Sequence, residues 1–501
     1  MSKNRRYSEG VMAPYRYPDH PRPRTRREFL AQGFITGSAW IAAPSLLGLF
    51  KSEEAKAQAM VSCGLGGAGG KLPFLIFDLG GGASIAGSNV LVGTNTQLDP
   101  MSPDGYRKMG LPADRTPADP AFIDTSMGLA FHTQSALLRG IRMRASDTTI
   151  ANTNGVVFAA RSDNDTGNNP LNPIYGINAA GAAGALLGSV GTRASDSGGR
   201  STIPMSMFDP TVRPTKVDRP SEATGLVDTG KLLTLLDDPA DASAVMAAAE
   251  AISGDKVAKL PETDLVKGLI NCSFQETTEL VTDFGDPNAL DPLQDPMLTS
   301  VIAPGEFGQS EFRKTGTIMK LVLDDYAGVG TMEFGGYDYH NGTRELGERK
   351  DEIAGQQIGA ALEYAALLNK PVVIYLMSDG SVFSDGAVDN TEDGDGKLVW
   401  RGDNSSTACA VLLVYDPDGR PALAGNGNQI GYYRDSASVE TASSIVGDNV
   451  TALTEAVVLN YLALHNETGR LSDVLPNHIL GSDTAVLDSV IGFANLPRFN
   501  T

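Results

Sequence analysis

The chain is poor in cysteine, with three in 501 residues: Cys63, Cys272 and Cys409, far apart and without metal-ligand spacing. They can form one disulfide at most, so a disulfide-built scaffold is excluded. Positive charge is also scarce, with 40 Lys and Arg against 60 Asp and Glu and a formal net charge of −20. Ten of those cations and only five of the acids fall in residues 1–59, which leaves about −25 on the remainder. A surface of that sign repels nucleic acid, and no nucleic-acid partner is expected. There is no internal repeat. No Gly-x-Ser-x-Gly frame is present, and no lysine follows Gly80-Gly81-Gly82, so neither a nucleophile elbow nor a phosphate-cradling loop is indicated. Asp389, Asp393 and Asp395 with Gly394 and Gly396 resemble a calcium loop, but Trp400 stands where that loop needs a bidentate Glu. A solvated turn fits those residues better.

What is present begins with an export signal. A basic, Pro-rich leader precedes Thr25-Arg26-Arg27-Glu28-Phe29-Leu30, and a mildly apolar run from Phe29 to Phe50 follows. That order predicts a twin-arginine signal peptide over residues 1–59, engagement of the Tat export machinery, and a periplasmic or secreted protein. Small-residue cleavage sites stand at Ala55-Lys56-Ala57 and Ala57-Gln58-Ala59. An uncleaved N-terminal anchor is the alternative, because the run is long enough to span.

Residues 60–501 read as one large α/β domain, a largely parallel central sheet sandwiched by helices. Strands are expected at Leu72–Phe77, Gly155–Ala160, Thr331–Phe334, Val372–Met377 and Ala410–Tyr415. Helices are expected over His132–Arg144, from Phe312 to Tyr326, from Leu346 to Leu368 and over Val457–Leu464. Residues 94–120 read as a surface loop, Gly176–Val190 as a Gly/Ala-rich helix or turn, and about 229–300 as a helical insert.

In open α/β sheets the loops leaving the carboxyl ends of the strands converge, and polar residues there are the candidates for chemistry. Five places qualify: Gly80-Gly81-Gly82 with Ser84, Ser162-Asp163-Asn164-Asp165, Asp338 with His340, Asp379, and Asp403. Asp and His suit Zn²⁺, Mn²⁺ or similar ions, and a carboxylate two residues from a histidine on a loop can face one ion. Each has a plainer reading. Asp338 and His340 could cap the helix beginning near Arg344, Asp379 could form a turn, and Ser162 to Asn169 could be a hydrogen-bonded loop. His132 reads as a core histidine, and His465 and His478 have no supporting pattern.

The order of these pieces resembles a Tat-exported bacterial family related to the alkaline phosphatase and sulfatase superfamily. Phe131-His132-Thr133-Gln134-Ser135 matches the family's helix opening, and Gly336-Tyr337-Asp338-Tyr339-His340 matches its Asp-x-His motif. Ser378-Asp379-Gly380 stands where Ser-Glu-Phe-Gly is expected, and Arg401-Gly402-Asp403-Asn404 where Gly-Thr-Asp-His is expected. Three expected positions are changed: Ala83 or Ser84 replaces an Asp, Ser162-Asp163 replaces Ser-His, and Asn404 replaces a His. The resemblance implies an alkaline phosphatase-like fold, a divalent metal (Zn²⁺ or Mn²⁺) on Asp338, His340, Asp379 and Asp403, and hydrolysis of a small phosphate or sulfate ester with Ser84 or Ser162 as nucleophile. The changed positions imply the alternative, a pseudoenzyme serving as an envelope binding or structural protein.

Overall fold

The computed structural model describes residues 70–163, 169–210, 212–227 and 287–499. The expected signal peptide and most of the expected insert, 229–300, lie outside the described residues, as do Asn164 and Asp165. By internal contacts the chain divides into two units, 1–64 with 229–285 and 65–228 with 286–501. All described residues belong to the second.

That unit is built on an eight-stranded sheet. Its strands are β1 (Phe74–Gly80), β4 (Thr153–Ala159), β5 (Leu187–Gly191), β6 (Thr215–Lys216), β7 (Ala327–Gly335), β8 (Val372–Ser378), β11 (Cys409–Tyr415) and β12 (Gln429–Ile430). The spatial order is β12-β4-β11-β8-β1-β7-β5-β6. Only β11 runs against the rest, pairing antiparallel with both β4 and β8. Two small antiparallel ribbons stand apart: β2 (Ile123–Met127) with β3 (Leu129–His132), and β9 (Val382–Val388) with β10 (Leu398–Asp403).

β1, β4, β8 and β11 are buried along their whole length, which explains why β8 and β11 read as near-continuous apolar runs. One face, through Phe74, Ile76, Val156, Phe158, Tyr375 and Leu412, packs into a core with Val457, Leu459 and Tyr461 of the helix Val450–Leu464. Asn449 caps that helix by accepting from Ala452 N at 3.0 Å. The other face is covered by the helices Ser310–Leu323 and Glu345–Leu367. Against the latter lies the short helix Ala136–Arg142, close enough that a Cβ on Gly355 would sit 2.0 Å from Leu137 O. Among the described residues, no helix is long and apolar enough to cross a membrane.

Three expected elements differ. The helix expected from His132 starts at Ala136, because His132 is still paired to Ile123 in the β2–β3 ribbon and Ser135 caps the helix through Leu138 N. The expected loop 94–120 contains the helix Pro103–Lys108 and several buried side chains; Tyr106 donates its hydroxyl to Val92 O at 2.8 Å. The Gly/Ala-rich stretch is a helix only over Ile174–Ala179, after which Gly181, at φ +107°, turns the chain toward β5. Residues 287–300 do carry helical turns, including Pro296–Val301.

Candidate metal centre

Strands β8, β1 and β7 lie side by side and end together, Gly80 opposite Gly335 and Leu79 opposite Ser378. The residues that follow them therefore leave the sheet at one level. After β1 the chain turns through Gly81 and Gly82, both at positive φ, +128° and +97°. After β7 it continues as Tyr337-Asp338-Tyr339-His340, with Tyr337 N donating to Gly80 O at 3.2 Å. The burial alternates along this segment: both tyrosines are buried, while Asp338 is exposed and His340 half-buried. The two tyrosines anchor the segment. Tyr337 donates to Lys350 O at 3.0 Å, and Tyr339 donates to Asp351 Oδ1 at 2.9 Å while accepting from Ser84 N at 2.7 Å.

Asp403, the last residue of β10, reaches the same place from the β9–β10 ribbon. Asp338, His340 and Asp403 form a group able to hold a metal ion, each offering one ligand atom within 4.8 Å of the others. His340 Nδ1 lies against Asp338 Oδ1 and 2.5 Å from Asp403 Oδ1. Yet Nδ1 is buried and satisfies no hydrogen-bond geometry with either oxygen. Two anionic oxygens converging on an unsatisfied ring nitrogen is a donor set that fits a divalent cation.

The plainer reading of Asp338 and His340 as helix caps does not describe them. The helix Glu345–Leu367 has no side-chain cap from either; Asp389 Oδ2 accepts from Arg344 N at 2.7 Å. Asp389 is buried and also takes Thr391 N and Oγ1, so this turn former is not solvated as expected.

Asp379 stands beside this group and outside it. It follows β8, is fully buried, and accepts from Gly81 N at 2.7 Å through Oδ1, while Oδ2 has no partner. Gly81 thus links the two halves of the site, because a Cβ there would lie 2.5 Å from Asp338 N. Ser84 is buried and tied by its backbone to Tyr339 and Asn89. Ser162 is buried, its hydroxyl without a partner, beside a cavity of about 10 Å³ that Met377, Ser378 and Cys409 also line. That space is the size of one water molecule.

Beneath the Asp338–His340 segment lies a buried charged cluster that the sequence did not announce. Arg344, stacked 4.3 Å over Trp400, bonds Glu348 Oε1 at 2.8 Å, and Lys397 bonds Glu348 Oε2 at 2.6 Å. Burial alone would raise the Glu348 carboxyl, but Arg344 and Lys397 outweigh it and hold it low; burial pushes Lys397 down to about 8. Asp351, which also accepts from Asn89 Nδ2 at 2.7 Å, is pushed up to about 7 by burial and by Glu348. No local signal marks this support, because Asp351 lies among Glu348, Arg349, Lys350 and Glu352 in a charged stretch of its helix.

His132 and His465 are held by structural hydrogen bonds. His132 offers Nε2–H to Arg115 O at 2.8 Å, accepts Gln134 N at 3.1 Å and stacks on Phe122, the core histidine expected of it. His465 accepts Leu72 N at 3.0 Å and bonds Tyr461 O through Nδ1 at 2.7 Å. No protein-family model matches the chain, and a search of curated proteins finds no match.

Proposed function

We propose that this chain is a Tat-exported, metal-dependent hydrolase of a small phosphate or sulfate ester, of alkaline phosphatase and sulfatase type, acting in the periplasm or outside the cell. The observation that carries the reading is the convergence of Asp338, His340 and Asp403 at the carboxyl ends of the central parallel strands. This is where α/β folds gather their chemistry. Three protein ligands leave coordination positions open, as a catalytic site requires and a closed structural site does not. A divalent ion there would supply Lewis-acid charge to stabilise the anionic transition state of ester cleavage. Asp338, His340 and Asp403 would hold it, while Tyr337 and Tyr339 fix the segment that bears the first two. Ser84 or Ser162 is the proposed nucleophile. Asp379 would orient the Gly80–Gly82 turn through its bond to Gly81.

One observation favours a second reading, a pseudoenzyme that binds metal in the envelope without turnover. Ser84 and Ser162 are both buried, and the cavity beside Ser162, about 10 Å³, is too small for an ester.

The test is the metal content of the full chain purified from the export compartment, wild type against Asp338→Ala with His340→Ala. Bound Zn²⁺ or Mn²⁺ in the wild type, lost in the double variant, is expected. Absence of transition metal from the wild type refutes the metal site. Turnover of p-nitrophenyl phosphate or sulfate, abolished by the same substitutions, separates the hydrolase from the pseudoenzyme.

A further inference from the structure

Both arms of the metal group rest on one helix. Asp338 and His340 flank Tyr339, and Asp403 stands three residues beyond Trp400 on β10. The two rings come down on the first turn of Glu345–Leu367, where a Cβ on Gly347 would lie 3.1 Å from the Tyr339 ring and 3.0 Å from Trp400 Nε1. Arg344, Glu348 and Asp351 follow one another there at spacings of four and three, so they share a face. Arg344 lies against Trp400, and Asp351 holds Tyr339.

Asp351 is buried, and among the described residues no lysine or arginine pairs with it. Its oxygens take one donor each: Oδ1 the Tyr339 hydroxyl at 2.9 Å, Oδ2 the Asn89 amide at 2.7 Å. Neither donor can turn away. Tyr339 Oη already accepts Ser84 N at 2.7 Å, while Asn89 also gives Nδ2 to Ser84 O at 3.0 Å and its oxygen accepts from Ser135 Oγ and Leu137 N. Only the ionised carboxylate serves both, because a neutral acid must set its own hydrogen against one of them. The charged groups around it are Glu348, held ionised by Arg344 and Lys397, and Arg139, 4.0 Å from Glu348 at the rim. His132, close to the same cations, is pushed down to about 4 by burial, and burial pushes Tyr337 and Tyr339 well above their usual range, so all three are neutral. Two members change charge near neutrality: Lys397, pushed down to about 8, and Asp351, pushed up to about 7. Lys397 bonds Glu348 and Gln134 O; Asp351 alone of the pair bonds Tyr339.

We propose that Asp351 is the positioning residue of the metal centre, acting through Tyr339: its carboxylate holds the hydroxyl that sets Asp338 and His340 in ligating position, and a proton on that carboxylate loosens the hold and weakens ion binding. The inference rests on the metal reading above and adds a regulator of that same site. A charge-assisted bond from Tyr339 is stronger than one to a neutral acid. Ion binding therefore favours the ionised form, so this part of the affinity is present above pH 7 and is lost as pH falls below it.

The experiment titrates Zn²⁺, and separately Mn²⁺, into the metal-stripped full chain at pH 7.5 and pH 6. Asp351→Asn keeps the shape but sets an amide hydrogen against one of the two donors. It should weaken binding on the order of ten-fold at pH 7.5, the scale of a lost support to metal ligands, and its gap from the wild type should close toward pH 6. Proton competition for the ligands themselves is common to both proteins and cancels in that comparison. Tyr339→Phe keeps the ring beside Gly347 and removes only the hydroxyl. It should show a loss of similar size and the same flattened pH profile, and adding Asp351→Asn to it should cost nothing more. Circular dichroism and gel filtration check that each variant folds, and Tyr339→Phe carries the test if Asp351→Asn does not fold. Wild-type affinity in both single variants at pH 7.5, an unchanged gap at the two pH values, or additive losses in the double variant overturns the proposal and leaves the metal reading standing. Wild-type protein that binds neither ion overturns both.

Discussion

Gly81→Ala is the substitution that most directly probes how the fold builds the metal group. Gly81 adopts φ +128°, a conformation open in practice only to glycine, so an alanine there pays strain of about 1–3 kcal/mol. Gly82, at φ +97°, pays on the same scale, and the two differ in what the new methyl meets. On Gly82 it would come 3.3 Å from Ser381 O, a tight contact; on Gly81 it would come 2.5 Å from Asp338 N and 2.8 Å from Asp338 Cβ. Contacts below 3.0 Å do not persist, so Asp338 must shift by at least about 0.5 Å. Ligand distances tolerate about 0.2 Å, and disturbed support around metal ligands costs on the order of 10–100-fold in affinity. Calorimetric titration of Zn²⁺ or Mn²⁺ into metal-stripped wild type, Gly81→Ala and Gly82→Ala should therefore show a loss of that size for Gly81→Ala and a smaller one for Gly82→Ala. Equal affinities in the two variants, or wild-type affinity in Gly81→Ala, would refute the reasoning.

Two further outcomes follow from buried ionisable groups. His132 and His465 are both pushed by burial from the usual 6.5 to about 4, and each is fixed as a neutral tautomer by one accepted and one donated bond. Their stabilisation is complete above pH 6.5 and is lost as pH falls toward 4, about 3 kcal/mol for each. In His465→Gln, the slope of unfolding free energy against pH should flatten by one histidine's share over that window; an unchanged slope counts against the assignment. Lys397→Ala leaves Glu348 to Arg344 and, at 4.0 Å, Arg139, and breaking such a buried pair costs about 3–5 kcal/mol. Denaturant midpoints should show that loss, and Glu348→Gln in the same chain should restore part of it; an unshifted midpoint would refute the cluster's role.

The sequence by itself determined the elements with strong periodicity or continuous burial. Val372 to Met377 and Ala410 to Tyr415 read as buried strands, the apolar face from Leu346 to Leu368 reads as a helix, and the structure has each of them so. The Asp338-x-His340 pair was legible for a local reason. Tyr337-Asp338-Tyr339-His340 alternates tyrosine with a candidate ligand, so an extended segment buries the tyrosines and presents Asp338 and His340 on the other side. Asp403 was legible as a candidate, but its place at the end of a ribbon strand outside the main sheet was not. Nothing local separated Asp379 from the candidate ligands either, since its place depends on Gly81 reaching across from another strand. Periodicity and burial are properties of neighbouring residues, and sequence carries them. Which carboxylate meets which nitrogen is decided by strand order and by where adjacent strands end, and only the tertiary structure supplies those.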